Sequence, residues 1–303
     1  MLYLAQRRGT IVVKLAIATP AYGEIFYASY VKSLMRLLGA MQQRRWSTLY
    51  DTISFGEIVE SRNALLTRWY DRTDATHLLF IDADMGFEPK LVLDMIDLGK
   101  PVVGVVAPKR QVDLQKLARF AADGMPSSRA IARAHDFILR WLPPGSDVRP
   151  QNGFLPVAGC GAGILLIERS CIASMLQKLP DINDTAARTT SPLAGGLDRL
   201  IRAFDVTTVD GVRLSEDMAF CHRWHALCGG EIFASVNHEI EHVGLHKYAA
   251  RYADTREAAR EMPAAAPAVL QQRPPMANPD VGRRVKTDYA APQAPTEPRR
   301  ERL

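Results

Sequence analysis

The sequence predicts an α/β layered protein with a mostly parallel central sheet flanked by helices, and three observations predict it. Apolar runs of strand type alternate with segments of helical spacing from residue 12 to about residue 107. One run, Leu78-Leu79-Phe80-Ile81, is apolar without alternation, as in a strand buried on both faces of a parallel sheet. It stops on Asp82 and Asp84, at the carboxyl end of the strand, where open α/β sheets place their ligands.

The elements follow in order. Residues 12–18 form the first strand, closed by the turn Thr19-Pro20-Ala21-Tyr22-Gly23, which exposes backbone amides. Arg7-Arg8 precede the apolar run as in a secretory signal, but Lys14 interrupts it, so residues 1–11 read as an extension before a core strand. A helix over 25–42 carries Val31, Leu34, Leu37, Leu38 and Met41 at helical spacing. Residues 47–54 form the second strand. Ser61-Arg62-Asn63 opens a helix to about Tyr70, and a guanidinium and an amide there suit a phosphate or base edge as well as a surface salt bridge. Glu88-Pro89 opens a helix to Leu98, and the strand Pro101–Ala107 closes on Pro108-Lys109-Arg110.

The second half is less regular. Two helices are expected over 112–142, the second with Ile131, Ala134, Ile138 and Trp141 on one stripe and Pro143-Pro144-Gly145 as its stop. Residues 112–150 then form a cover or lid. The apolar pattern resumes over Phe154–Ile167 around Ala158-Gly159-Cys160-Gly161-Ala162-Gly163. That run lacks a G-K-[ST] ending and is no P-loop, so it is either a tight turn or a place where a ligand approaches backbone. Residues 181–213 read as a long loop with a weak helix near 197–204. Leu214-Ser215-Glu216-Asp217 opens a helix to about Leu227, with Ser215 as N-cap and two acids favouring its dipole, and a strand resumes at Ile232-Phe233-Ala234. The domain is expected over 12–254. Residues 255–303 hold eight Pro and ten Ala and read as a disordered tail.

Composition bounds the function. The net charge is +5, of which the last 49 residues carry +3 (nine basic against six acidic), so nucleic acid binding is not indicated for the body of the chain. No apolar run approaches the roughly 18–20 residues of a membrane span. Cys160, Cys171, Cys221 and Cys228 make no C-x-x-C pair and read as reduced thiols of a cytoplasmic protein. Asp82 and Asp84 repel each other near a dry core and call for a counter-charge, which a divalent metal carrying phosphates supplies. The plain alternative is two ordinary acids at a strand end.

Taken together, Thr19-Pro20-Ala21-Tyr22, Ser61-Arg62-Asn63, the D-x-D run Asp82-Ala83-Asp84, Gly159 to Gly163, the stretch Leu214 to Trp224, Gly229-Gly230-Glu231-Ile232 and His242-Val243-Gly244 resemble a GT-A fold glycosyltransferase of the family 2 type. The resemblance covers residues 13–248 and implies a Rossmann-like GT-A sheet. It implies transfer of a sugar from a nucleotide-diphospho-sugar donor to a glycan, lipid-linked or other hydroxyl acceptor, with inversion by single displacement. Asp84 and His242 would hold Mn²⁺ or Mg²⁺, with Asp82 on the ribose or a metal-bound water. Asp217 would be the general base and Glu216 would orient it or the acceptor. Thr19, Pro20, Tyr22, Arg62, Asn63, Asp82 and Gly161 would contact the nucleotide, Lys109 or Arg110 would neutralise phosphate, and residues 181–213 would form the acceptor side. Two motifs depart from the family: the second strand ends Tyr50-Asp51-Thr52-Ile53-Ser54 in place of V-V-D-D-G-S, and Q-x-x-R-W is absent. Two other readings stand beside it. One is a sugar-phosphate nucleotidyltransferase. The other is a zinc protein using His238, His242 and His246, which share a face only if the segment is helical.

Overall fold

Seven strands form the central sheet: β1 (Lys14–Pro20), β2 (Ser47–Ile53), β3 (His77–Ile81), β4 (Val102–Val105), β5 (Phe154–Val157), β6 (Ile164–Glu168) and β7 (Ile232–Ser235). The computed structural model describes residues 13–54 and 56–245. The expected N-terminal extension, His246 and the expected disordered tail lie outside the described residues. The strand order is β2-β1-β3-β6-β4-β7-β5. Strands β1, β2, β3, β4 and β7 run in one direction, while β5 and β6 run against their neighbours. The expected α/β fold with a mostly parallel sheet is the fold observed.

Helices cover both faces, as a sheet of doubly buried strands requires. On β3, Leu78 and Phe80 join one apolar cluster and Leu79 and Ile81 the other. Each side chain is at most 1% exposed, and such burial contributes about 1.5–3 kcal/mol per residue. The first cluster contains residues of α2 (Ile58–Arg72), α6 (Arg169–Lys178) and α7 (Glu216–His222). The second contains residues of α1 (Ala28–Gln43) and α3 (Pro89–Asp97). The buried stripe of α1 is Tyr30, Ser33, Leu37 and Met41, and Val31 and Leu38 are exposed.

The second half corrects the sequence reading in three places. Of the two helices expected over 112–142, Leu114–Ala122 forms, but Ser127–Ala134 stops early. His135–Phe137 pairs with Pro108–Val112, and Leu139–Arg140 pairs with Gly159–Cys160. Tertiary strand pairing overrides the helical spacing of Ile131, Ala134, Ile138 and Trp141. Helix α6 was not expected. Residues 197–204 hold no helix, because Leu200–Ile201 pairs with Asn183–Asp184.

Candidate active site

The reversed strand β6 builds one wall of the site. Running against β3, it begins where β3 ends, so the Asp82 amide donates to the Gly163 carbonyl at 2.8 Å. The small-residue run therefore lies beside the acids. A Cβ at Gly163 would stand 3.6 Å from Asp82 Oδ2, and one at Gly161 would stand 3.6 Å from Asp217 Oδ2 and 3.4 Å from Ile138 Cγ2. These glycines keep space open between the two acid sites.

Arg62 joins the acids of distant segments. Its Nη2 donates to both oxygens of Asp82 at 3.0 Å, and its Nη1 donates to Glu216 Oε1. The side chain is 3% exposed and rests over the Phe204 ring, 5.9 Å from its centroid. Phe204 in turn stacks on Phe220 at 4.7 Å. Burial opposes the Arg62 charge, but Asp82, Glu216 and Asp217 outweigh it and raise the guanidinium pKa. Burial pushes Asp82 up, against the pull of Arg62. Arg62, expected at the nucleotide, directs its Nη donors to these acids, and its Nε is buried without a partner.

Asp84 sits in a different setting. Residues Glu241–His242 pair antiparallel with Met85–Gly86, and the Val243 amide donates to the Asp84 carbonyl at 2.9 Å. This pairing sets His242 Nε2 3.6 Å from Asp84 Oδ2, while Nδ1 meets the Pro108 carbonyl at 2.7 Å. Arg110 Nη1 donates to the same Asp84 oxygen at 3.0 Å and is itself 54% exposed. The Asp84 carboxylate raises the His242 pKa above the usual imidazole value, helped by the Pro108 carbonyl and opposed by burial.

Asp217 lies in the first turn of α7 and is 9% exposed. Its Oδ1 accepts from the Met218 amide at 2.7 Å and from the Ser215 hydroxyl. Ser215 holds the N-cap position, but its hydroxyl anchors this carboxylate in place of a backbone amide. Oδ2 is left on the side of Gly161.

The remaining expected contacts divide. Tyr22, on the turn after β1, is 80% exposed, and Lys109 is exposed beside Arg110. Thr19 and Pro20 are buried, and the Thr19 hydroxyl bonds the Tyr30 hydroxyl at 2.6 Å. Asn63 is fully enclosed. It donates to Asp205 at 2.7 Å and accepts from the Phe204 amide at 2.9 Å, so it clamps the 181–213 segment to α2. The zinc reading loses its helix. His238 bonds Ser235 and Asp94, and the segment through His242 is turn and strand.

No family model matches the sequence, and no curated protein does. Among solved structures the chain is similar to A197 from STIV, at 13% identity and a TM-score of 0.40, covering 79% of this chain and 99% of that one. It is similar to a Drosophila β-1,4-galactosyltransferase 7 mutant in complex with manganese, UDP-Gal and xylobiose, at 9% identity and a TM-score of 0.38, over 80% and 79% of the two chains. It is also similar to GalNAc-T7 with UDP, GalNAc and Mn²⁺, at 8% identity and a TM-score of 0.43, over 77% of this chain and 43% of that one. Glycosyltransferases are among the structures this chain is similar to. At these identities and TM-scores the likeness transfers no residue roles.

The donor set was therefore tested on the chain itself. Among the described residues no group of three or more His, Cys, Asp or Glu is arranged to hold a metal ion. Asp82, expected on the ribose or a metal-bound water, has both oxygens on Arg62. Asp84 and His242 remain, one carboxylate and one imidazole with its Nδ1 fixed by a carbonyl. Such a pair fits a divalent ion whose other positions are filled by phosphate and water. Among the described residues no helix is long and apolar enough to cross a membrane. Sequence reading passed over Ser215 as an anchor, because its hydroxyl reads equally well as a helix cap, and Ile138 as a neighbour of Gly161, because that contact is not local.

Proposed function

We propose that this chain is a metal-dependent glycosyltransferase that moves a sugar from a nucleotide-diphospho-sugar to an acceptor hydroxyl. The observation that carries the proposal is Arg62, which ties Asp82 at the end of β3 to Glu216 at the start of α7. Two acid clusters 134 positions apart in the chain (216 − 82 = 134) thereby share one site, with glycines between them. A sugar-transfer site needs such a pair of halves, one holding a leaving diphosphate and one activating an acceptor.

In this reading Asp84 and His242 hold Mn²⁺ or Mg²⁺, and the metal stabilises charge on the leaving diphosphate when bound. Tyr22 meets the nucleotide at the end of β1, and Lys109 lies where it can approach phosphate. Arg62 keeps Asp82 and Glu216 in place without touching the donor. The acceptor oxygen attacks the anomeric carbon, its proton passes to Asp217 Oδ2, and the bond from that carbon to the diphosphate oxygen breaks. The nucleoside diphosphate leaves, and single displacement inverts the anomeric centre. The role of Asp217 is one of position: Ser215 and Met218 fix one oxygen and leave the other beside Gly161.

Asp217→Asn tests this with little change in shape. Release of nucleoside diphosphate from a panel of nucleotide-sugars is expected to fall about 10²–10⁴-fold, with nucleotide binding retained. A rate within a few-fold of the unmodified protein would remove Asp217 from the chemistry.

A further inference from the structure

One cavity shares the helix α7 and the glycine run with the acid site. Its volume is about 530 Å³, and it is lined by Arg140, Trp141, Ala158, Asp210, His222 and His225 among others. Two separate backbone routes tie it to Asp217. Along α7, His222 lies five residues from Asp217, a rise of about 7.5 Å. Along the glycine run, Ala158 lies three residues from Gly161, which faces Asp217, a span of at most about 10 Å. His222 and Ala158, which line the cavity, thus lie within about 7–10 Å along the chain of Asp217 and Gly161, a separation that the second or third ring of a saccharide spans.

The lining has the chemistry of a sugar site. Trp141 is 57% exposed, and its indole lines the cavity. Among the described residues the side chains of Arg140, Trp141, Asp210 and His222 make no hydrogen bond or salt bridge with one another or with other side chains. They are held in place by backbone. Arg140 pairs with Gly159 in a two-residue ladder, and the Ala158 amide donates to the Arg140 carbonyl at 2.9 Å. Asp210 and Gly211, with φ of 50° and 78°, form the two-residue turn of the hairpin Thr207–Val209 and Val212–Leu214. Burial, with Arg140 and Arg223, lowers the His222 pKa, so its ring is neutral and both accepts and donates. An exposed aromatic face ringed by unpaired donors and acceptors suits the apolar face and hydroxyl rim of a pyranose.

We propose that this cavity is an acceptor subsite that binds the penultimate sugar rings of an oligosaccharide, with Trp141 as the stacking platform. The inference rests on the glycosyltransferase reading and narrows its acceptor to a glycan at least two rings long.

The test uses cellobiose, lactose and chitobiose as probes, with binding followed by saturation-transfer NMR on the full chain. At least one disaccharide is expected to bind, with at least tenfold loss in Trp141→Ala and binding within about threefold in Trp141→Phe. Nucleotide binding with Mn²⁺ is measured on the same variants and is expected to be unchanged. Absence of binding by all three, or equal binding by Trp141→Ala, overturns the subsite. Loss of nucleotide binding in the unmodified protein overturns the underlying transferase reading instead, so the two failures are distinct.

Discussion

Asp82 and Asp84 stand one residue apart, and each faces an arginine, yet the two pairs belong to different environments. Arg62 enters from α2, is 3% exposed and is shared with Glu216. Arg110 enters from the segment after β4, is 54% exposed and meets only one oxygen of Asp84. The first pair is a fixed strut between two halves of the site. The second is an exposed counter-ion held at a single carboxylate oxygen. The D-x-D spacing says nothing of this asymmetry, which is set by what packs behind each arginine.

Breaking the strut has the largest expected effect. Arg62→Met leaves Asp82 and Glu216, 28% and 19% exposed, without their counter-charge in a partly buried setting. A loss of about 3–5 kcal/mol is expected in urea denaturation. A loss below about 1 kcal/mol would mean that water reaches Asp82 and that the two pairs are alike.

Next comes the pH dependence of the Asp84 half. The His242 pKa is raised in the folded protein, so its contribution to stability is full below the unfolded value of about 6.5 and is lost as pH rises through the folded value. Metal needs the neutral ring, so protons compete with it. Mn²⁺ affinity measured by calorimetry is expected to fall about tenfold per pH unit below the folded His242 value. A flat affinity between pH 5 and pH 8, values of about the range in which imidazole titrates, would exclude His242 as a ligand.

The smallest effect sharpens the contrast. Arg110→Gln is expected to change stability by less than about 1 kcal/mol, as for other exposed pairs. The same change is expected to raise Mn²⁺ affinity in the absence of nucleotide, since the guanidinium that competes for Asp84 is then gone. Unchanged or weaker Mn²⁺ binding would make Arg110 a support for Asp84 rather than a placeholder.

Much of the sheet could be read from sequence because its signals are local. The unbroken run Leu78–Ile81 marks a doubly buried strand, and Pro89, Gly229 and Gly230 punctuate the helices that flank it. The site was legible only as separate parts. That Arg62 meets Glu216, or that Ser215 holds Asp217 rather than a backbone amide, follows from packing across more than a hundred residues or from a choice between donating to a nearby carboxylate and accepting from a nearby amide. Ile138 and Trp141 show the reverse error. Their spacing is helical, but pairing of Leu139–Arg140 with Gly159–Cys160 pulls them into extended chain beside the site. Asp210-Gly211 is a hairpin turn signal that the polar character of the surrounding loop concealed.

The central claim is a metal-dependent nucleotide site at Asp84, and thermal unfolding with a panel of nucleoside diphosphates addresses it directly. With Mn²⁺ present, one diphosphate is expected to raise the unfolding midpoint by about 5 °C or more at saturating concentration. That rise should vanish without metal and in Asp84→Asn. If no nucleoside diphosphate shifts the midpoint with Mn²⁺ present, or if Asp84→Asn responds as the unmodified protein does, the account is contradicted.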